Sequence, residues 1–358
     1  MSEPDHEAGL FDDIASATAA APAEAADDSR WAEPDAADGR DPISIALWGG
    51  VGSGKSVFIG ALRRAIGFTE HVGRWSMHGL DKDSRSYSNN AAAGLRGETP
   101  LPLATETASN LSWTVRGPLS SGDDVQVTLR LRDAPGGDYR ESNDASPEAT
   151  LQYLAAADGL IYLFDPTGEL PDPDPAGGAG GNGRPRAAGS FTSTLQLLQA
   201  RVAEAGHAGV RLPHFLAVCV TKLDDRRVFA AANRLGLIDS DANGSPWVPN
   251  ELAKEFFRRL CTDQRYGNAP EIWNDIQGAF DPARTSYFAT SALGFSYGPD
   301  STGEADPLGM RTFPNRVPRE KLFWVQESAQ PINVFEPLQT LITQIAAHGR
   351  VHGAAVAR

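Results

Sequence analysis

Residues 49–56 read GGVGSGKS, which joins a glycine-rich stretch to a lysine and a serine at the spacing GxxxxGK[ST]. Glycines allow the backbone to curl around an anion with its N–H groups pointing inward. Lys55 can place its charge on the β- and γ-phosphates of a nucleotide, and the Ser56 hydroxyl is a suitable ligand for Mg²⁺. The chain has only five lysines, so a chance match has odds on the order of one in a hundred. The motif therefore predicts a phosphate-binding loop, formed by Gly49, Gly50, Val51, Gly52, Ser53, Gly54, Lys55, Ser56 and Val57.

A second motif, Asp133-Ala134-Pro135-Gly136, follows residues 125–132, which alternate like a strand with one solvated face. An aspartate at the carboxyl end of such a strand can hold a Mg²⁺-bound water, which makes Asp133 a candidate metal ligand. The N–H of Gly136 can meanwhile sense the γ-phosphate. The pattern DxxG also occurs at ordinary strand-to-turn junctions, so it gains weight only from the other motifs.

A third motif indicates which base is bound. Residues 215–220 form an unbroken apolar run, typical of a central parallel strand, that opens into Thr221-Lys222-Leu223-Asp224. The Asp224 carboxylate can accept hydrogen bonds from N1–H and the exocyclic amine of guanine, whereas adenine presents an acceptor at N1. Sites that hydrogen-bond a substrate group reject analogues that lack it by about 10⁴–10⁵-fold. We expect Lys222 to lay its stem along the base and Thr221 to tie the motif to the phosphate-binding loop.

A fourth short strand, residues 286–290, leads into Ser291, Ala292 and Leu293, whose backbone can read guanine O6. GGVGSGKS, DAPG, TKLD and TSAL, each after a predicted strand, resemble the motifs of P-loop GTPases of the Ras-like and translation-factor class. The resemblance extends over roughly residues 42–350, and it implies a GTP/GDP-binding switch that uses Mg²⁺. The long first switch region and the Gly/Pro-rich residues 165–190 are also similar, more loosely, to bacterial double-GTPases of effector-associated systems.

The sequence departs from this family beside the DAPG motif. Many such GTPases place a glutamine there to orient the attacking water, but this chain has Gly137. A glycine has no side chain that could orient a water, so another group must do so or hydrolysis must be slow without a partner. Asp138 and Arg140 are the nearest alternatives.

The threonine that would cap Mg²⁺ and the γ-phosphate is also open between Thr99, Thr105 and Thr107. We favour Thr105, because Thr99 lies more than ten residues before the strand at 111 and precedes a proline. Arg96 could act as an arginine finger from within the chain, although a solvated arginine at a helix end is the favoured interpretation. The candidate catalytic residues are thus Lys55, Thr105 and Gly136, and the candidate metal ligands are Ser56, Thr105 and Asp133.

The elements that must position these motifs alternate between strand and helix along the chain. Strands are predicted at residues 43–48, 111–116, 125–132, 159–165, 214–220 and 285–290. Helices are predicted at residues 54–66, 147–157, 191–205, 226–235, 249–263 and 334–348, with a short helix within 84–97. We therefore expect an α/β, three-layer, doubly wound fold, whose mostly parallel sheet carries one antiparallel edge hairpin made by residues 111–116 and 125–132. The nucleotide would bind at the carboxyl ends of the strands.

Composition bounds the domain organisation and the partners. The 358 residues carry a net charge of −14, which disfavours nucleic acids and anionic membranes as partners. Residues 1–41 hold twelve Asp and Glu against two Arg, and we expect a disordered acidic arm because few large apolar side chains are available for burial. A GTPase domain would span residues 42–350, with a flexible insertion at 165–190, a loop-rich insertion at 295–332 and a tail at 351–358.

The sequence has neither a basic-apolar leader nor an apolar run approaching about 18 residues, so we expect a cytoplasmic protein without an integral membrane segment. The two cysteines, Cys219 and Cys261, imply no disulfide framework. The leading functional hypothesis is a slow, Mg²⁺-dependent GTPase with a protein effector or activator as partner. A GTP-dependent scaffold that does not hydrolyse is the alternative, and a P-loop ATPase or kinase is the third.

Overall fold

The structure is a computed structural model that describes residues 43–50, 52–68, 75–101, 109–119, 121–133, 147–168, 187–207, 209–241, 245–265, 269–297, 312–319, 322–325 and 328–348. The strands are β1 Ile43–Gly49, β2 Ser76–Gly79, β3 Ser109–Pro118, β4 Asp124–Asp133, β5 Gly159–Phe164, β6 Phe215–Val220, β7 Asp239–Ser240, β8 Pro246–Trp247, β9 Thr285–Ala289, β10 Phe295–Tyr297, β11 Thr312–Pro314, β12 Val317–Arg319 and β13 Leu322–Trp324. The helices are α1 Lys55–Phe68, α2 Lys82–Leu95, α3 Pro147–Ala155, α4 Ala187–Glu204, α5 Arg226–Arg234, α6 Asn250–Thr262, α7 Pro270–Ala279 and α8 Glu336–His348.

A seven-stranded sheet forms the centre of the fold, in the order β2-β3-β4-β1-β5-β6-β9. Strand β1 lies between β4 and β5 and is parallel to both, with Ile45 opposite Leu129 on one side and Gly159 on the other. Strands β5 and β6 are buried along their whole length. Their uninterrupted apolar sequences follow from this position, because helices cover both faces of a parallel sheet.

One strand of the sheet is reversed. Strand β3 pairs antiparallel with β4 from Ser109 opposite Asp133 to Pro118 opposite Asp124. Strand β2 pairs antiparallel with β3 and therefore runs in the same direction as the remaining strands. The predicted α/β fold with a mostly parallel sheet and an antiparallel hairpin is confirmed, and the edge strand β2 is an addition that the sequence pattern did not indicate.

Helices pack on the two faces of the sheet and give the three layers. On one face, Ile45 and Leu47 of β1 belong to a core cluster that includes Leu62 of α1 and Leu341 of α8. On the other face, the Trp48 ring stacks on Phe191 of α4, with ring centroids 4.7 Å apart. Adjacent residues of β1 thus face opposite layers, as the alternation of side chains along a strand requires.

Several predicted boundaries shift and one helix was missed. Helix α4 begins at Ala187 rather than at residue 191, and α2 begins at Lys82 rather than at residue 84. Helix α7 was not predicted. The predicted loop-rich insertion 295–332 contains two short hairpins in its described part, β10–β11 and β12–β13. The predicted arm 1–41, the tail 351–358 and most of the insertion 165–190 lie outside the described residues.

Cys219 and Cys261 are both buried, and neither forms a disulfide within the described residues. No helix in the described ranges has the combination of length and apolar character that a membrane crossing requires.

Candidate nucleotide-binding site

The glycine loop that is predicted to bind phosphate lies between a central strand and a helix. Gly49 ends β1 and Lys55 begins α1. Gly52 and Gly54 have φ angles of 75° and 91°, a left-handed conformation that glycine adopts without the steric cost of a Cβ atom. The N–H of Phe58 donates to the Gly54 carbonyl at 2.8 Å. The helix therefore starts directly at the loop, where its free N–H groups favour an anion.

Lys55 folds back onto this loop. Its Nζ donates to the carbonyl oxygens of Gly49 and Gly50, at 3.1 Å each. The cation is thus held against the loop by neutral acceptors, which an anionic oxygen can replace because charge-assisted hydrogen bonds are stronger. The two residues that follow, Ser56 and Val57, lie in the first turn of α1, and Val57 packs against the core.

The Ser53 side chain is buried beneath the loop. Its Oγ is buried and has no hydrogen-bond partner among the described residues. A Cβ atom added to Gly49 would lie 2.6 Å from this oxygen and 2.9 Å from the Leu163 carbonyl oxygen, so only glycine fits there. No described atom lies within 4 Å of a Cβ added to Gly50, Gly52 or Gly54. The loop is tightly packed at Gly49, is open at Gly50, Gly52 and Gly54, and contains a buried hydroxyl without a partner among the described residues. These three features fit a loop that binds a phosphate group.

The TKLD motif begins at the end of β6. The N–H and the hydroxyl of Thr221 both donate to the Phe164 carbonyl, at 2.9 and 3.0 Å. We expected Thr221 to bond the phosphate-binding loop, and this expectation is wrong for the described residues. Thr221 instead joins the ends of β5 and β6, because these strands are neighbours and Phe164 is the last residue of β5.

Lys222 has a left-handed backbone, with a φ of 60°. Its Nζ donates to Asp165 Oδ2 at 2.5 Å. Asp165 also accepts from the N–H and the hydroxyl of Thr167, at 3.0 and 2.7 Å. The Lys222 side chain is thus fixed at its tip, which leaves its stem free to support a planar base. Sequence reasoning overlooked Asp165, although its place directly after a buried strand beside TKLD was a usable signal.

Asp224 is buried and joins the third motif to the fourth. Its Oδ1 accepts from the Ser291 hydroxyl at 2.5 Å, and the Ser291 oxygen accepts from the N–H of Gly294 at 2.8 Å. The backbone also connects the two motifs, since the Leu223 N–H donates to the Thr290 carbonyl at 3.1 Å. Burial raises the pKa of Asp224, while the bond from Ser291 and the charge of Arg316 lower it. The structure thus brings TKLD together with Ser291, Ala292 and Leu293.

The second motif is described only at its first residue. Asp133 is the last residue of β4 and pairs with Ser109. Since β1, β4, β6 and β9 are mutually parallel, their carboxyl ends, and with them the starts of all four motifs, lie at one edge of the sheet. Seven further candidates lie outside the described residues, namely Val51, Thr105, Thr107, Gly136, Gly137, Asp138 and Arg140.

Two candidate residues of the predicted first switch region, Arg96 and Thr99, lie within the described residues. Arg96 caps the carboxyl end of α2 and is paired with Glu98, with Nε to Oε1 at 2.6 Å. This matches the favoured interpretation of a solvated arginine at a helix end. Thr99 is exposed. Within the described ranges, no group of three or more His, Cys, Asp or Glu could hold a metal ion.

No protein-family model matches the sequence, and no curated protein matches it. Solved structures do match. A chain of the signal recognition particle receptor SRb-GTP/SRX complex from Chaetomium thermophilum is 16% identical with a TM-score of 0.34, over 72% of this chain and 94% of that one. Sup35 complexed with GDP is 15% identical with a TM-score of 0.25, over 78% and 45%. The GTP-bound GTPase-like domain of Ski7 from S. cerevisiae is 14% identical with a TM-score of 0.28, over 74% and 46%.

The chain therefore spans less than half the length of the Sup35 and Ski7 chains. The fold class rests on the strand order and on the glycine loop between β1 and α1. These features make it an α/β fold of the P-loop type.

Proposed function

We propose that this protein binds guanine nucleotides at the carboxyl edge of the sheet and hydrolyses GTP in an Mg²⁺-dependent reaction. The observation that carries the proposal is the buried Asp224 carboxylate, held by Ser291 at 2.5 Å. A buried carboxylate with unused acceptor positions matches the two adjacent donors on the guanine edge. It lies on the same edge of the sheet as the phosphate-binding loop, so base and phosphates can be bound together.

The chain's own residues have distinct roles in this proposal. Asp224 selects the base, and the stem of Lys222 supports it. The N–H groups of the phosphate-binding loop and Lys55 bind the phosphates and hold them in line for attack by water. Ser56 and Asp133 would hold Mg²⁺, with Thr105 as the third ligand. A bound Mg²⁺ would neutralise charge on the β- and γ-phosphate oxygens.

Gly137 favours a second candidate function. Without a water-orienting side chain at this position, the protein could act as a GTP-dependent switch that signals by ordering its switch segments without measurable hydrolysis. In either case the partner would be a protein effector or activator. The looser likeness to bacterial double-GTPases depends mostly on residues outside the described ranges and stays a prediction.

Calorimetry on purified protein tests the proposal with Lys55→Ala and the control Lys82→Ala. Lys82 begins α2 and is exposed, so the control removes a lysine that lies outside the site. We expect wild type and the control to bind GDP with equal affinity and to ignore ADP, while Lys55→Ala loses binding and keeps its fold. Equal GDP affinity in both variants would contradict the phosphate-binding loop. Preference for ADP would point instead to the ATPase or kinase hypothesis.

Single-turnover measurement of bound GTP then separates the switch that hydrolyses from the switch that does not. Release of phosphate that depends on Mg²⁺ supports a GTPase, and bound GTP that stays intact supports the scaffold.

A further inference from the structure

Residues 328–333, which we call the strap, run alongside the loop that follows β9. Ser291 and Ile332 exchange two backbone hydrogen bonds, at 3.0 and 2.8 Å. The N–H of Gln330 donates to the Leu293 carbonyl at 3.3 Å. This loop, residues 291–294, is the base loop, since it contains the residues proposed to read guanine O6. The strap is therefore a direct backbone partner of the base loop.

The strap and the base loop are closely packed against each other. Gly294 has a φ of 68°, and a Cβ atom there would lie 2.2 Å from the Gln330 carbonyl oxygen. The fully buried Asn315 donates its Nδ2 to the Leu293 carbonyl at 3.2 Å. Asn333, at the end of the strap, donates its Nδ2 to the Ala289 carbonyl at 3.2 Å. The backbone of the base loop is thus held by the strap and by Asn315, through bonds that do not involve Asp224.

The other end of the strap is bound to helices α1 and α2. The Ala329 N–H donates to the carbonyl of Leu95, the last residue of α2, at 3.0 Å. Arg64 of α1 donates from Nε to the Ala329 carbonyl and from Nη2 to Ser328 Oγ, at 2.6 Å each. Helix α1 begins at Lys55, and the predicted first switch region follows α2. One short segment therefore contacts the base loop and both of these helices.

We infer that the strap holds the base loop in its guanine-reading position and that Arg64 is a positioning residue for nucleotide binding. The inference rests on the proposed function. A loop that reads a base through its backbone must be held within about 0.5 Å of its productive position. If the strap loosens, binding must order the loop, and the complex becomes less stable by that entropy. Loss of the Arg64 contacts should therefore speed nucleotide release without any change in the residues that touch the nucleotide.

The test compares Arg64→Ala with Arg63→Ala, which removes the neighbouring arginine. Arg63 donates to Ser88 Oγ at 3.2 Å and to Asn89 Oδ1. Both partners lie on α2, so these two bonds of Arg63 hold α2 and not the strap. Dissociation of a fluorescent GDP analogue is measured after chase with excess GDP. We expect Arg64→Ala to raise the dissociation rate about three- to tenfold, and Arg63→Ala to stay within about twofold of wild type. Arg64→Lys keeps the charge but lacks the planar fork, so its rate should fall between wild type and Arg64→Ala.

The rate distinguishes positioning from loss of fold. Misfolded molecules lower the amount of nucleotide bound, whereas the dissociation rate reports only on molecules that hold it. Hydrogen exchange at the amides of Ser291, Gly294 and Ile332 should also rise in Arg64→Ala and not in Arg63→Ala. Equal dissociation rates and equal exchange in the two variants would overturn the inference. If wild type fails to bind the GDP analogue, the proposed function itself is wrong, which is a separate outcome.

Discussion

In the proposed function Asp224 selects the base, and its chemistry allows the preference to be changed. Asp224→Asn should weaken GDP binding and shift the preference toward XDP, because xanthine has an oxygen where guanine has its amine and so needs a donor opposite. The asparagine can still accept from Ser291, so the fold should persist. Competition between GDP and XDP for the variant measures the shift. Unchanged GDP affinity with no gain for XDP would contradict the guanine assignment.

The same residue should make binding depend on pH. Burial raises the pKa of Asp224 above its ordinary value of 3.8, so its neutral form appears at a higher pH than that of a solvated aspartate. A neutral carboxyl cannot accept from both guanine donors, and GDP affinity should therefore fall as the pH drops through the raised pKa. The unliganded protein changes in the opposite sense, because the native state binds the proton more tightly than the unfolded chain and gains stability as the pH falls. Titration calorimetry between neutral pH and 3.8 checks the first effect, and a flat profile would refute it.

Gly137 sets the expected rate of hydrolysis. Because this position lacks a side chain that could orient water, the isolated protein should turn over GTP at about 10⁻⁴–10⁻² s⁻¹. Gly137→Gln should raise this rate, while the control Gly137→Ala, which adds no amide, should leave it unchanged. Single-turnover phosphate release measures all three. A wild-type rate above about 1 s⁻¹ without a partner would mean that another group already completes the site.

At the scale of elements, the junction between β1 and α1 is sensitive to one added methyl group. A Cβ atom on Gly49 would collide with Ser53 Oγ at 2.6 Å and with the Leu163 carbonyl oxygen at 2.9 Å, whereas one on Gly50 meets nothing within 4 Å. Gly49→Ala should cost about 1–3 kcal/mol in the free energy of unfolding and weaken GDP binding. Gly50→Ala should change that free energy by no more than about 0.5 kcal/mol. Urea unfolding of both variants makes the comparison, and equal midpoints would contradict the packing described for Gly49.

Strands and helices whose own sequence carries a hydrophobic pattern could be predicted. Elements that form only by pairing with a neighbouring element could not. Strands β1, β5 and β6 are predictable because burial on both faces demands continuous apolar sequence. Strand β2 reads SMHG and has no such signature, since it forms only by pairing with β3. Helix α7 differs, because Pro270 at its start and the buried Ile272 and Ile276 were signals present in the sequence.

The same division applies to the site. The phosphate-binding loop and TKLD are contiguous, so sequence alone reveals both motifs. The bond between Asp224 and Ser291 was not predicted, because these residues are 67 apart in the chain. The bond between Lys222 and Asp165 joins residues 57 apart in the chain. The contact of Arg64 with the strap joins residues 265 apart. Both pairs depend on which elements become neighbours in the fold, and the place of Asp165 directly after a buried strand is the one local signal for either pair.

At the scale of the whole molecule, we predict that the domain needs the predicted acidic arm neither for stability nor for nucleotide binding. Residues 1–41 combine twelve acidic residues with two arginines, and such a composition offers little apolar surface for burial. Deletion of residues 1–40 should leave GDP affinity unchanged and the free energy of unfolding within about 1 kcal/mol of the full chain. Calorimetry and urea unfolding of the two proteins test this. A larger loss of stability would mean that the arm packs on the domain.

The strand order also determines when the nucleotide site can exist during synthesis. Strand β1, which ends in the phosphate-binding loop, has β4 and β5 as its neighbours, and its pairing begins at Val127 and Gly159. A ribosome adding about 5–20 residues per second needs on the order of ten seconds to travel from β1 to these partners. Throughout that interval β1 is an unpaired apolar segment, open to chaperones and to other nascent chains. The base loop emerges last of the four motifs, so a guanine nucleotide bound as proposed can stabilise the protein only after residue 294 has been synthesised.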